Sequence, residues 1–343
     1  MIGRHKLWMA ATALGALHAV ILFAGFFAPY DASTQNRDLT FAPPVRVHFL
    51  DATGRFHLRP FVYAWASPSD TQNQYTPDLS RRYGLEFFAE GSAYKIAGLI
   101  GSDRHLLAVP RPARLFLMGS DAYGRDQFSR FLYGGQISLL AGLLAAAVSV
   151  LLGVGVGALA GFYGGWIDEL LMRGGELFLA LPWLYLLFAV RAVLPLQIAG
   201  WQVFLLLVSV MGLLGWARPA RLIRGVVLSA KERNFVLAAR GFGASDAYLL
   251  SRHILPQTWG VILTQLALLV PQYVLAEVTL SFLGLGVSEP MPSWGSLLSS
   301  LEQYYVLASY WWMLLPALLL MGVFLLYQVA ADALQERVRS VQL

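Results

Sequence analysis

The sequence predicts an all-α polytopic membrane protein with six transmembrane helices and a small β-rich extracytoplasmic insertion between helices 1 and 2. Three observations point there. Hydrophobic residues make up 57% of the chain and charged residues 13%, too few charges to coat a soluble globule of this size. Residues 7–30, 131–167, 192–217, 253–276 and 303–331 lack Asp, Glu, Lys and Arg altogether. Each stretch can hold a span of about 20 apolar residues. The segment 31–117 differs in composition, with alternation in place of long apolar runs. Cysteine is absent, which excludes disulfides, thiolate metal sites and cysteine nucleophiles.

The first span is placed at 7–29, inside an N-terminal region 1–30. Arg4 and Lys6 resemble the start of a signal peptide. However, the apolar run exceeds the roughly 7–15 residues of a signal's hydrophobic core, and no small-x-small cleavage site follows, so an uncleaved anchor is expected. In 31–117, Val45–Leu50 and Arg55–Arg59 alternate around Asp51-Ala52-Thr53-Gly54, a hairpin signal. Leu85–Phe88, Tyr94–Ile100, His105–Val109 and Leu115–Met118 read as further strands. His48, His57 and His105 lie here, but without a carboxylate cluster in the sequence they are not read as metal ligands.

The remaining spans are placed at 137–161, 173–194, 200–218, 259–281 and 311–331, before a tail at 336–343. Gly161–Trp166 reads as the turn after the second. Arg191 interrupts the third, one turn from its end, and is read as a snorkelling anchor rather than a pore-lining group. Glu277 falls within the fifth span. An ionisable group there is a functional candidate: it lines the pore, pairs with Arg191 or sits near the outer mouth.

Basic residues set the orientation. With both termini cytoplasmic, the loop 218–258 is inside and carries Arg218, Arg221, Arg224, Lys231, Arg233, Arg240 and Arg252. The short outer loops 195–199 and 282–310 carry no Lys or Arg. The net charge of +5 is then a matter of topology and a lipid bilayer, and no nucleic-acid role is needed.

Within that loop, Glu232–Asp246 reads as two short helices joined by a glycine-containing turn, with Ser245 capping the second through Ile254. Small residues at Ala238, Ala239, Gly241, Gly243 and Ala244 leave backbone open to another protein surface. Ala238-Ala239-x-x-x-Gly243 followed by His253-Ile254-Leu255-Pro256 resembles the EAA loop of binding-protein-dependent ABC importer permeases. More narrowly, the chain resembles the second permease subunit of dipeptide/oligopeptide importers. Gly119-Ser120-Asp121-Ala122-Tyr123-Gly124-Arg125-Asp126 with Ser129-Arg130, Gly164–Asp168, Leu280–Gly286 and Pro292-Ser293-Trp294-Gly295 support the resemblance over about 118–335. Leu237 stands where the family motif has its glutamate. The segment 31–117 is longer than the family's usual linker, so no family role transfers to it.

The resemblance implies a type I ABC importer fold over 118–335 in the bacterial plasma (inner) membrane. It implies half of a pore, built with a second permease subunit as a heterodimer. The partners it implies are two cytoplasmic ABC ATPases, which bind ATP and Mg, and an extracytoplasmic substrate-binding protein. The coupling residues would be Leu237, Ala238, Ala239, Arg240, Gly241, Gly243, Ala244, Ser245 and Asp246, in a 231–256 loop. Lysine occurs only at Lys6, Lys95 and Lys231, none in a G-x-x-x-x-G-K-[ST] phosphate loop. The chain is therefore expected to be a transporter subunit without an ATPase site, cofactor or metal of its own. Two rivals are an intramembrane enzyme and a stand-alone secondary transporter. The first is disfavoured because His18, Arg191 and Glu277 fall on three different spans. The second would use Pro182, Pro271 and Pro316 as helix breaks, but shows no paired repeat.

Overall fold

A computed structural model describes residues 2–66, 75–96, 98–180, 182–193 and 199–342. Helices α1 (Ile2–Leu22) and α2 (Ala24–Phe27) open the chain. Five strands follow: β1 (His48–Leu50), β2 (Phe56–Ala66), β3 (Thr76–Gly84), β4 (Glu86–Ile96) and β5 (Ile100–Ala108). Then come α3 (Gln127–Tyr163), α4 (Gly165–Ala180), α5 (Trp183–Val193), α6 (Gly200–Leu214), α7 (Ala217–Lys231), α8 (Asn234–Gly241) and α9 (Asp246–Tyr248). Helices α10 (Trp259–Phe282), α11 (Trp294–Leu298), α12 (Tyr304–Ser309) and α13 (Leu315–Gln342) complete it. Among the described residues, five helical runs are long and apolar enough to cross a membrane, and a sixth if one bent pair counts as a span.

That bent pair corrects the third expected span. In place of one helix over 173–194, α4 and α5 are inclined by 81° to each other. Pro182 stands in the break and lacks the N–H a continuing helix needs. The second expected span starts ten residues later than α3 does, because α3 begins in the polar Gln127–Arg130 turn that hydropathy alone passes over. The fourth continues beyond 218 through α7 to Lys231.

The chain forms two compact units: Met1–Thr12, Leu139–Leu280 and Phe324–Leu343 in one, Ala13–Ser138 and Ser281–Val323 in the other. In the first unit α3 and α7 pack on a glycine ladder. A methyl at Gly153 would meet Pro219 Cβ at 2.5 Å, one at Gly157 the Ala220 carbonyl oxygen at 2.4 Å, and one at Gly161 the Arg224 carbonyl oxygen at 2.9 Å. The four-residue spacing puts these glycines on one helix face, and small residues let two helix backbones approach closely in a bilayer. Arg224 also ties α7 to α4 with two bonds to Asp168, Nε to Oδ1 and Nη2 to Oδ2, each 2.5 Å. At the α6–α7 junction, Gly215 is held to a bare backbone because a methyl would overlap the Tyr273 hydroxyl. That hydroxyl also lies 2.8 Å from Ser149 Oγ, which donates to the Gly212 carbonyl at 3.0 Å.

In the second unit β1, β2 and β3 form one antiparallel sheet, and β4 and β5 a separate hairpin. The expected turn at Asp51–Gly54 is present. Asp51 Oδ1 accepts from the N–H groups of Thr53 and Arg55, and Asp51 Oδ2 lies 2.9 Å from His57 Nε2 and 2.8 Å from Arg82 Nη1. These contacts hold the Asp51 carboxyl below the usual carboxylate range, His57 foremost. A small core of Ala42, Val45, Val62, Tyr83, Leu85, Ala113, Leu115 and Phe116 sits under the sheet. Leu115–Met118, expected as a strand, is not one. Leu115 and Phe116 are fully buried apolar residues of an irregular segment, and periodicity cannot distinguish such a run from a buried strand. Tyr94–Ile100, expected as one strand, divides into the ends of β4 and β5 around Gly98, whose φ is +74°.

Candidate functional site

The hairpin between α7 and α10 is built from a capped helix end. In α8, Val236 and Ala239 face a core shared with Phe162, Ile223, Val227, Leu249 and Ile254. Phe235, Leu237, Ala238 and Arg240 are exposed. At the C-terminus the Ala244 N–H donates to the Ala239 carbonyl at 3.1 Å and the Gly243 N–H to the Arg240 carbonyl at 3.0 Å. This pair of bonds is a Schellman cap, and it requires a left-handed residue at Gly243, whose φ is +84°. The cap also brings its third helical residue against the residue after the glycine. Here these are Ala239 and Ala244, both packed on the same core. The Ala239–Gly243–Ala244 spacing is therefore the spacing of a cap.

Nothing lies within 4 Å of a methyl built at Gly241 or Gly243, so conformation, not crowding, dictates glycine at 243. Between them Phe242 is 93% exposed. The arrangement presents a large apolar side chain at the tip of a well-fixed turn, beside exposed Leu237. Arg240 places its guanidinium 5.7 Å from the Phe162 ring. Ser245 accepts from the Tyr248 N–H at 3.4 Å as an N-cap, and Asp246 begins α9 beyond it. The helix does not end at Ile254 as expected. It continues at π pitch over Leu249–Ile254 and 3-10 pitch over Leu255–Thr258, directly into α10. Pro256 falls within the first turn of the 3-10 segment, where no donor is needed.

The second motif, Gly119–Arg130, forms a closed clasp in the other unit. Asp121 Oδ1 accepts from the N–H groups of Tyr123 and Arg125, each at 2.9 Å. Its Oδ2 accepts from Arg125 Nε at 2.7 Å. Arg125 and Arg130 then converge on Glu289, at 3.1 and 2.6 Å. The Arg130 side chain is only 3% exposed while that of Glu289 is 47% exposed. Burial alone would raise the Glu289 carboxyl, but Arg130 first and Arg125 second hold it below its ordinary range. Gly124 has φ +68°, and a methyl there would sit 1.8 Å from the Asn36 carbonyl oxygen.

Asp126 caps α3. Its Oδ2 accepts from Ser129 N at 2.8 Å and Ser129 Oγ at 2.6 Å, the expected bond from an N-cap to the third helical residue. Among the described residues its Oδ1 is buried with no hydrogen-bond partner. Burial pushes this carboxyl up to about 7 against the Ser129 bonds that lower it. Nearby, Trp294 Nε1 donates to the Phe131 carbonyl at 2.9 Å, and the Trp294 N–H donates to Ser138 Oγ. Gly134 and Gly135 make room for that tryptophan and its neighbour Ser293.

Arg191 and Glu277 are both buried, and neither is without a partner. Arg191 is 6% exposed. Among the described residues no group of three or more His, Asp or Glu side chains is placed to hold a metal. His105 instead bonds the Ala28 and Ser92 carbonyls.

Residues 153–340, more than half of the chain, match the family model described as "Binding-protein-dependent transport system inner membrane component". The chain belongs to this family. A "Dipeptide transport system permease protein DppC" of Bacillus subtilis is 37% identical over 64% of this chain and 66% of its own length. An "Oligopeptide transport system permease protein OppC" of Haemophilus influenzae is 35% identical over 67% of this chain and 71% of its own. A "Glutathione transport system permease protein GsiD" of Pectobacterium atrosepticum is 34% identical over 66% and 72%. The alignments thus span about two thirds of each relative.

Sequence reasoning found the hairpin and the Asp121–Asp126 motif but missed three groups. Glu289 stands alone between Ser288 and Pro290, and nothing local marks it as the partner of two arginines. The Asp168–Arg224 pair joins two motifs that were read separately. Phe242 lies inside the motif as an unassigned position. A large apolar residue in a turn of small ones is the signal that could have found it.

Proposed function

We propose that the chain is a permease subunit of an ATP-driven, binding-protein-dependent importer for peptides. Its relatives carry names of dipeptide, oligopeptide and glutathione transport systems, which supports peptides as the cargo class. In this reading residues 118–335 form the permease core and contribute half of a pore. A second permease subunit supplies the other half, two cytoplasmic ATPases drive it, and an extracytoplasmic binding protein delivers cargo. Both termini lie in the cytoplasm, and 31–117 lies outside as a docking surface or cap for the binding protein.

The observation that carries the reading is the Phe242 knob on the Schellman-capped hairpin. An exposed aromatic on a fixed backbone suits insertion into a pocket of a partner. The hairpin shares its core with α7 and the end of α3, so a push from an ATPase would reach the spans rather than dissipate in a loop. A ligand-driven change of access needs contacts that differ between the two states, and a knob held by a moving partner supplies them.

The chain has no native cysteine, so Phe242→Cys is the only thiol in the variant. Crosslinking of that thiol to an ATPase subunit is the expected result. Absence of crosslinks from any position between 238 and 246 would overturn the reading. Peptide uptake by the chain reconstituted alone would instead favour the secondary-transporter alternative.

A further inference from the structure

The β4–β5 hairpin lies against the end of the first span, and its turn is apolar. Leu99 is 85% exposed and Ile100 66% exposed, with Ile96 beside them. A hairpin turn facing water is ordinarily made of polar and small residues, and an exposed apolar cluster marks a contact surface.

The hairpin's contacts with α2 give its direction. His105 Nδ1 lies 2.6 Å from the Ala28 carbonyl oxygen. Nearer the turn, the Tyr94 ring packs so tightly on Gly25 that a methyl there would lie 2.2 Å from Tyr94 Cδ2. From His105 to the Tyr94–Ser102 pair the contact point therefore moves from Ala28 back to Gly25, towards the middle of the span. Ile96 and Ile100, which pair with each other, lie two residues further on, about 7 Å along the ladder. Three steps along β5, from His105 to Ser102, move the contact by three helix residues, from Ala28 to Gly25, so two further steps reach Phe23. The tip is thus brought to the depth of the turn carrying Leu22 and Phe23, which are themselves exposed apolar residues.

Side chains along the hairpin are ordered accordingly. Ile96, Leu99 and Ile100 form the tip, and Tyr94, Lys95, Asp103 and Arg104 form the next band. Tyrosine and long basic side chains belong at the headgroup level, and aliphatic ones beneath it.

We infer that the β4–β5 tip is immersed in the outer leaflet of the bilayer, beside the first span, as a second membrane contact of the extracytoplasmic segment. The occupant of the apolar surface is lipid because the tip continues the apolar surface of a membrane helix at the same depth. The inference rests on the proposed topology, in which α1 spans the membrane and 31–117 lies outside.

Three single-cysteine variants test it in the full chain, purified with its accompanying subunits and reconstituted in phosphatidylethanolamine/phosphatidylglycerol vesicles. Leu99→Cys probes the tip, Leu22→Cys the span, and Ser80→Cys, on exposed β3, the aqueous face. Each is labelled with an environment-sensitive nitrobenzoxadiazole dye and exposed to spin-labelled lipid or to iodide. The expected result is a blue-shifted dye at 99, quenched by spin-labelled lipid as at 22 and shielded from iodide, with the reverse at 80. Quenching of 99 by iodide as at 80, with 22 lipid-quenched, overturns the inference and leaves the topology standing. Protection of 99 from both quenchers overturns it in favour of a protein contact. Loss of lipid quenching at 22 is instead a failure of the topology itself.

Discussion

The Gly119–Arg130 clasp and the Asn234–Asp246 hairpin are both compact motifs rich in small and charged residues, and both contain a left-handed glycine. Their surroundings differ. In the clasp Asp121, Gly124, Asp126, Gln127, Ser129 and Arg130 are all buried, and among its described residues the buried side-chain atoms Asp126 Oδ1 and Gln127 Oε1 alone lack a hydrogen-bond partner. In the hairpin only Val236 is fully buried, and Phe242 projects into the surroundings. The same kind of sequence signal therefore arises from two pressures. One acts from inside, where each residue is fixed by a neighbour in the fold. The other acts from outside, where the fold fixes the backbone and, in the proposed reading, a partner would fix the side chain. Substitutions in the first should be read as stability, and in the second as coupling.

The sharpest way to break this contrast is Gly124→Ala. The left-handed conformation and the close Asn36 carbonyl both oppose a methyl, and together they cost about 2–5 kcal/mol. Thermal unfolding in detergent should show the loss. Next is Glu289→Ala, which strips Arg130 of its close partner. A hydrogen bond to a charged group is worth about 1.5–3 kcal/mol, and the half-exposed position of Glu289 places the loss near the lower end.

Asp126 sharpens the inside half of the comparison through pH. Folded, its carboxyl titrates near 7, and its ordinary value is 3.8. The folded state therefore binds the proton more tightly. Its contribution to stability is full below about pH 4 and is lost as pH rises to about 7. Asp126→Asn, which keeps a neutral acceptor at the cap, should flatten that part of the stability profile. An unchanged profile would show that Asp126 is ionised in the folded protein.

In the hairpin the expected losses are smaller. Gly243→Ala meets no neighbour and should cost only the left-handed penalty, about 1–2 kcal/mol. Phe242→Ala should shift stability by no more than about 0.5 kcal/mol yet uncouple ATP hydrolysis from uptake. If Phe242→Ala instead unfolds the protein, or leaves coupled uptake intact, the division between inside and outside motifs fails at its most exposed residue.

Much of this was legible from composition and period. The apolar spans stand out because a bilayer imposes length, and α10 begins at Trp259 and ends one residue from its expected limit at 281. Strand β3 was missed because Thr76–Gly84 is exposed along most of its length and carries Pro77, so neither alternation nor β-propensity marks it. The break before α5 was missed as a break because hydropathy is blind to direction, although Pro182 was visible. Within the motifs, residue types were legible but partners were not. The role of Arg130 depends on Glu289, far along the chain, and no local pattern encodes such a pairing. Gly124 and Gly243 looked alike in sequence. One excludes a methyl for lack of room as well as for its conformation, and the other for its conformation alone.

The glycine ladder at 153, 157 and 161 bears on how force would travel. Two helices in backbone contact at three successive levels resist sliding past one another as a strut resists shear, and the Asp168–Arg224 pair ties α7 to α4 beside them. Helix α7 leads at its far end into the Asn234–Asp246 hairpin, whose core also includes Ala158 and Phe162 of α3. A displacement of Phe242 then has no slack to take up between the hairpin, α7 and the second half of α3. The one joint in the α6–α7 run is Gly215-Trp216, where the Tyr273 hydroxyl and Ser149 pack on the glycine. Stroke length at the hairpin would be set by the angle available at that one joint.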